Sequence, residues 1–166
     1  MAMLKKLEKF LKDNKIRFQE VVHRTVYTAH DKAATLRVKE KSIGKTLLIK
    51  TDRDLTLVLI SGNKNFDKGK FKKTINDWRK KIGQKPAKLI DFASEVLMKN
   101  NLKGVKVGAV PPFGKMWKLP AFIDKTLGKE KEVILNSGNY NSSIKIKQKE
   151  FKKLDFIQGS FSKSKK

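Results

Sequence analysis

The clearest pattern along the chain is a pair of β-rich runs, Lys45 to Lys50 and Leu55 to Ile60, split by the turn-like Thr51-Asp52-Arg53-Asp54. Apolar runs of this length around a short polar break predict a hairpin. Upstream, Leu4, Leu7 and Leu11 fall at helical spacing with lysines between them, so residues 3 to 13 read as an amphipathic first helix. The segment Ile16 to Val22 reads as extended. Thr28 followed by Asp31 has the form of a capping box opening a second helix through Ala33, Ala34 and Leu36. Downstream, Phe71, Ile75, Trp78 and Ile82 stand at i, i+4, i+7 and i+11, an apolar stripe for a longer helix whose other faces are basic. A short strand at 88 to 90 and a helix capped by Asp91 and running towards Met98 should follow. Strands are then expected at 105 to 110, 119 to 124, 132 to 136 and 143 to 147, separated by glycine-bearing turns. Phe151 and Leu154 predict a brief helix, Ile157 a last extended piece, and Ser162 to Lys166 a flexible basic tail. With no internal repeat and no long linker, the expectation is one domain over residues 1–161 followed by the tail at 162–166.

Composition narrows the function classes. The chain has 166 residues, 39% of them hydrophobic and ten of them Phe, enough apolar material for one core without covalent staples. It contains no cysteine, which excludes disulfides, thiolate metal sites and a cysteine nucleophile, and suits a reducing compartment. Lysines and Glu8 interrupt the apolar residues between Met1 and Phe10, so that stretch lacks the apolar core of a signal peptide, and no run approaches a membrane span. A cytoplasmic protein is expected. The formal charge of +24 changes the picture most, because forty Lys and Arg against sixteen Asp and Glu call for a polyanionic partner. Nucleic acid, held by phosphate neutralisation and counterion release, fits better than a membrane surface, since no basic amphipathic helix stands clear of the fold. Residues 64 to 88 alone hold ten Lys or Arg against two Asp.

Familiar catalytic constellations are missing: there is no HExxH, no Walker loop and no G-x-S-x-G, and the only histidines are His23 and His30. No metal or cofactor is expected. The sharpest local feature is Gly108-Ala109-Val110-Pro111-Pro112-Phe113-Gly114, where two prolines stiffen the chain and the flanking glycines permit turns or close approach. Such a loop can aim backbone N–H groups, for instance those of Gly108 and Ala109, at a carbonyl or a developing oxyanion. The glycine turn Asn136-Ser137-Gly138-Asn139 could add backbone donors and a hydroxyl. Lys45 opens a strand just after Gly44, where an ammonium could reach a phosphate at a pocket mouth.

Five pieces occur in order: His23-x-x-Val26-Tyr27-Thr28, Lys45-Thr46-Leu47-Leu48, Gly108 to Gly114, Leu119-Pro120 with Asp124 and Leu127, and Ser137-Gly138. Together they resemble the YbaK-like deacylases and the editing domain inserted in bacterial prolyl-tRNA synthetases. The resemblance implies an α/β (α+β) fold, a mixed, largely antiparallel β-barrel-like sheet surrounded by helices, with a pocket between the sheet and the Gly108 loop. It implies a trans-acting aminoacyl-tRNA deacylase in which Lys45, Gly108 and Pro112 are catalytic. Lys45 would engage the 3′-terminal adenosine and phosphate of tRNA. His23, Tyr27, Thr46, Ala109, Val110, Phe113, Ser137 and Gly138 would bind substrate. Attack is assigned to water, a substrate thiol or a tRNA hydroxyl, which suits a chain without cysteine. Two departures bear on the acyl pocket: Pro111 stands where bacterial relatives often carry Ser or Thr, and Asn139 and Ser143 stand where they carry a second glycine and a nearby aspartate.

With tRNA as partner, the basic helix would hold the acceptor stem through Lys70, Lys72, Lys73, Arg79, Lys80 and Lys81. An aminoacyl-tRNA synthetase is a second expected partner. The competing readings are a non-catalytic tRNA-binding module associated with a synthetase, and a basic RNA- or ribosome-binding protein that keeps the fold alone. Turnover of an aminoacyl ester separates the first reading from these two.

Overall fold

The two β-rich runs form the hairpin at the centre of the molecule. A computed structural model describes residues 3 to 165. In chain order its elements are α1 (Lys5–Asp13), β1 (Gln19–Val22), α2 (Ala29–Leu36), β2 (Gly44–Thr51), β3 (Asp54–Ser61), β4 (Lys64–Phe66) and α3 (Lys68–Lys81). They continue as β5 (Ile90–Phe92), α4 (Glu95–Asn101), β6 (Ala121–Asp124), β7 (Glu132–Asn136), β8 (Ser142–Lys147), β9 (Phe156–Gly159) and β10 (Ser162–Ser164). Strands β2 and β3 pair antiparallel through a two-residue turn in which Asp52 adopts φ +58°. Aspartate tolerates that left-handed region better than most residues. Its carboxylate then accepts from the Lys88 and Leu89 N–H groups, tying the hairpin tip to the segment that leads into β5.

Around the hairpin the order is β5-β2-β3-β6-β9, with β3–β6 and β6–β9 parallel. A second sheet, β1-β8-β7, is antiparallel throughout, and β4 pairs antiparallel with β10. The mixed, mostly antiparallel architecture is the expected one. A single parallel bridge, Ile43 to Ile134, joins the start of β2 to β7, giving a barrel-like wrap without full closure. Here β2 runs close against β7: a Cβ on Gly44 would lie 2.5 Å from the Leu135 side chain. Only glycine fits that contact unless Leu135 moves.

Helix α3 is capped by Asp67, whose side chain accepts from the Lys70 N–H. Phe71 and Ile75 are fully buried, and Phe71 packs edge-on against Phe122 and Phe161. Such aromatic contacts contribute about 0.5–1.5 kcal/mol each beyond the area they bury. The stripe stops one turn before its predicted end, since Lys81 closes the helix and Ile82 is 48% exposed.

Three expectations are corrected. Asp91 lies inside β5, and Ser94, accepting from the Leu97 N–H, caps α4 instead. Residues 105 to 110 are a turning loop, because Gly104 and Gly108 both take positive φ and break any ladder between them. Of the flexible tail expected at 162–166, Ser162–Ser164 is instead a strand paired to β4. Buried Asp124 accepts from the Phe161 N–H at 2.7 Å and the Ser162 hydroxyl at 2.8 Å, and Phe161 is fully buried, which fixes the strand. Lys166 lies outside the described residues. No described helix is long and apolar enough to cross a membrane.

Candidate active site

Helix α2 starts where the sequence placed it: the Thr28 hydroxyl accepts from the Asp31 N–H at 3.0 Å. That cap points the helix along one side of a cavity of about 310 Å³. The start of β2 supplies Gly44, Lys45, Thr46 and Leu47 to another side, and Gly108 and Ala109 close it from the loop. Lys45 and the stiff loop, more than sixty residues apart in the chain, therefore face one space.

Lys45 Nζ donates to the Lys64 carbonyl at 2.7 Å. An ammonium has three donors, so this bond positions the group without exhausting it. Burial pulls the Lys45 pKa below the ordinary lysine value, the Lys165 charge pulls it further, and Glu40 opposes both. Thr46 is buried, lines the cavity, and its hydroxyl has no hydrogen-bond partner among the described residues. A buried hydroxyl without a partner is costly unless a ligand or water completes it.

Gly108 takes φ +81°, a region open to glycine and strained for other residues. A Cβ there would meet nothing closer than the Tyr27 carbonyl at 3.9 Å, so backbone conformation, not space, requires the glycine. One expected donor is already engaged, because the Ala109 N–H donates to the Lys106 carbonyl at 3.0 Å. Gly108 N–H has no partner among the described residues.

Tyr27 and Tyr140 meet edge to face at 4.7 Å beside the cavity; Tyr27 is 67% exposed, and the Tyr140 hydroxyl donates to the Val107 carbonyl at 2.7 Å.

Several predicted residues sit elsewhere. Pro112 and Val110 are buried and do not line the cavity. Phe113 is buried in the main apolar cluster 5.6 Å from the Phe10 ring, and it borders a separate, mostly apolar cavity of about 420 Å³. The diproline thus stiffens the chain where it leaves the cavity for the core, and its own atoms meet no substrate space. His23 clamps β1 to β8: one ring nitrogen meets the Arg24 carbonyl at 2.7 Å and the other the Ser143 hydroxyl at 2.9 Å. A carbonyl partner requires Nδ1–H, which leaves Nε2 to accept from Ser143. Burial lowers the His23 pKa, as this neutral tautomer requires. Ser137 is buried with its hydroxyl donating to the Ser142 carbonyl, and the Gly138 N–H donates to the Ala109 carbonyl at 2.9 Å. The serine-glycine turn therefore braces the loop from behind. Arg79 is 7% exposed and buried against the hairpin tip, bonded to the Thr51 hydroxyl and Lys85 carbonyl and facing Asp52 and Asp54. It is no surface contact for a nucleic acid.

Two lysines that the sequence did not single out, Lys32 and Lys165, complete the cavity together with Asn136 of the glycine turn. Lys32, on α2, is 7% exposed and donates to Asn136 Oδ1 at 2.8 Å. Burial brings its pKa down to about 8. The Asn136 amide nitrogen in turn donates to the Val110 carbonyl at 3.2 Å, so one side chain joins the buried ammonium to the Gly108 loop. Lys165 reaches the rim from the C-terminal strand. The lining thus holds three lysines and no carboxylate. Among the described residues no cluster of His, Asp or Glu is placed to hold a metal ion.

An aminoacyl-tRNA editing domain model matches residues 23–154. No curated protein matches the chain. Among solved structures, the hypothetical protein APE2540 superposes with TM-score 0.79 at 20% identity, over 96% of this chain and all of its own. A candidate trans-editing enzyme for prolyl tRNA synthetase superposes with TM-score 0.73 at 20% identity over 96% of both chains. A candidate signal transduction protein from Marinobacter aquaeolei gives TM-score 0.65 at 12% identity, this chain covering 31% of it. At these identities the likeness to solved structures is one of fold, whereas the family match spans most of the chain and includes α2, β2, the Gly108 loop and Asn136. The chain belongs to the aminoacyl-tRNA editing domain family, and as an enzyme it is an aminoacyl-tRNA deacylase.

Proposed function

We propose that the protein acts in trans, in the cytoplasm, on tRNA-Pro mischarged with a small amino acid, alanine or cysteine, and hydrolyses the ester at its 3′ end. The observation that supports this reading is the shared cavity. It joins a positioned ammonium, a glycine backbone at positive φ and an unpartnered hydroxyl, and the carboxylate beside it, Glu40, is engaged by Lys165 and His30.

In this reading Lys45 binds the terminal phosphate and adenosine, and Tyr27 and Thr46 contact the substrate at the wall. The Gly108 N–H faces the aminoacyl carbonyl as its oxygen gains charge. Water attacks the carbonyl carbon, with a tRNA hydroxyl placed to relay its proton. The ester bond to the ribose oxygen breaks, and the attacking group's proton passes to that oxygen. No side chain becomes acylated. Ala109 shapes the cavity; Ser137, Gly138 and Pro112 act by holding the loop, while Val110 and Phe113 anchor it in the core. The exposed lysines of α3, Lys70, Lys72, Lys73, Lys80 and Lys81, contact the acceptor stem, and a prolyl-tRNA synthetase is the natural source of the substrate. Choice among small acyl groups rests on cavity fit, worth only about 1–3 kcal/mol per methylene.

The test is a deacylation panel: Ala-tRNA-Pro, Cys-tRNA-Pro and correctly charged Pro-tRNA-Pro, each followed for loss of the ester bond. Hydrolysis of one or both mischarged species, sparing Pro-tRNA-Pro, is expected. Binding without hydrolysis of any aminoacyl-tRNA would favour a non-catalytic tRNA-binding module instead.

A further inference from the structure

The segment read from sequence as a loose tail delivers a cation to the active-site cavity. Lys165 follows directly on β10 and lines the same space as Lys45, Gly108 and Ala109. Its place is built by several independent contacts. Asp124 holds the Phe161 N–H and the Ser162 hydroxyl, and Lys70 Nζ donates to the Ser162 carbonyl at 3.2 Å. Ser164 pairs with Lys64, the residue whose carbonyl holds the Lys45 ammonium. Beyond the strand, Lys165 Nζ reaches Glu40 at 3.1 Å, and the same carboxylate meets the His30 ring at 2.9 Å. One short strand therefore supports the anchor of Lys45 and brings a second ammonium to the mouth.

Two cations held in one cavity repel each other, and the Lys165 charge is among the causes that lower the Lys45 pKa. Glu40 offsets part of this repulsion, since it accepts from Lys165 and its charge opposes the lowering at Lys45. An anionic occupant shared by both groups reverses the sign of the interaction.

We propose that the C-terminal strand is part of the active site, and that the Lys165 ammonium grips, together with Lys45, the terminal phosphodiester of the aminoacylated RNA end. The proposal rests on the deacylase reading above and adds a phosphate-binding residue to it. Lys165 acts on ground-state binding: it stands at the rim, and the Gly108 backbone faces the carbonyl.

The experiment compares wild type, Lys165→Ala and Lys165→Arg on two substrates: Ala-tRNA-Pro, and the alanyl ester of adenosine, which carries no phosphate. With the RNA substrate, Lys165→Ala should raise KM about five- to tenfold, the scale of one charge-assisted contact, while kcat stays within about twofold. Lys165→Arg should restore most of the loss. With the adenosine ester all three proteins should behave alike. An unchanged KM for the RNA, or an equal loss on the adenosine ester, overturns the proposal; equal loss on both would mean that the strand only supports the fold.

Binding of an unacylated acceptor-stem minihelix supplies a readout independent of hydrolysis. Lys165→Ala should weaken binding of the minihelix with its single-stranded 3′ end and leave binding of the blunt stem unchanged. If wild type hydrolyses no aminoacyl-tRNA, the deacylase reading fails by itself. Lys165 is then judged by the minihelix, where a loss independent of the 3′ end, or no loss, overturns it.

Discussion

The cavity and the outer face of α3 are built from the same residue type in opposite settings. In the cavity, Lys32 and Lys45 are tied to single acceptors, Asn136 Oδ1 and the Lys64 carbonyl, and burial lowers the pKa of both. On α3, Lys72, Lys73, Lys80 and Lys81 are exposed. A charge held in place acts on one atom of a ligand, whereas a charge on a mobile exposed chain contributes a diffuse, salt-screened attraction. Substitutions should therefore separate the two regions by size of effect and by kind.

The largest effect is expected at Lys45. Lys45→Ala should lower kcat/KM for a mischarged tRNA about a thousandfold, the scale of losing one preorganised electrostatic group, or roughly 4 kcal/mol. Affinity for the uncharged tRNA should change much less, because the stem contacts remain. A loss below tenfold, measured by single-turnover deacylation, would remove Lys45 from the chemistry and leave the cavity without its best-placed cation.

Next comes Lys32, where the effect is on stability and its sign depends on pH. The folded-state pKa of about 8 lies below the unfolded lysine value of 10.5. Below pH 8 both states are protonated and the cost of the buried ammonium is present in full. Between about 8 and 10.5 the unfolded state binds more protons, so stability rises with pH, by roughly 3 kcal/mol across the window. Urea unfolding of wild type and Lys32→Met at pH 7 and pH 10.5 should show wild type gaining about that amount relative to the variant. A pH-independent difference would mean that Lys32 is hydrated and does not carry the loop through Asn136.

Arg79 is the third case, and it shows what the sequence concealed. By position it belongs with Lys80 and Lys81, yet helical geometry carries it inward to the hairpin tip. Arg79→Ala should cost about 2 kcal/mol of stability through lost buried hydrogen bonds and packing, with no change in the salt dependence of tRNA binding. Thermal denaturation beside a binding titration tests both halves, and a changed salt slope would return Arg79 to the nucleic-acid surface.

The same distinction explains what was legible in the chain. Local periodicity gave the hairpin, α1, the Thr28 cap and the α3 stripe, because each depends on neighbours within a few residues. The ordered pieces around Lys45 and Gly108 located the walls of the cavity. Lys32 and Lys165 were hidden among forty basic residues, since only tertiary packing decides which lysine is buried or brought to the rim. Pro112 and Phe113 enter as site residues through the resemblance carried by the Gly108 to Gly114 motif; a motif is local in the chain, but the direction its loop faces is set by packing. The paired C-terminal strand was invisible for a similar reason, since the polar run 162–164 is ordered by Asp124 and β4, both remote in sequence.

The smallest effects are expected on α3, and their form matters more than their size. Lys70 already donates to the Ser162 carbonyl, so replacing it would disturb the C-terminal strand as well as any stem contact. Lys72, Lys73, Lys80 and Lys81 carry no such bond among the described residues, which makes them the cleaner probes. Each single Lys→Ala change should weaken tRNA binding by about 0.5 kcal/mol, close to twofold. The logarithmic salt slope should fall by about 0.9 for every lysine that had met a duplex phosphate. Deacylation by the bound complex should be unaffected, because none of these residues touches the cavity. Salt titrations of tRNA affinity for the four single variants and their combination provide the check. A combined variant with the wild-type slope would clear α3 of any role in holding the stem, leaving the cavity lysines as the only part of the +24 charge with an assigned ligand.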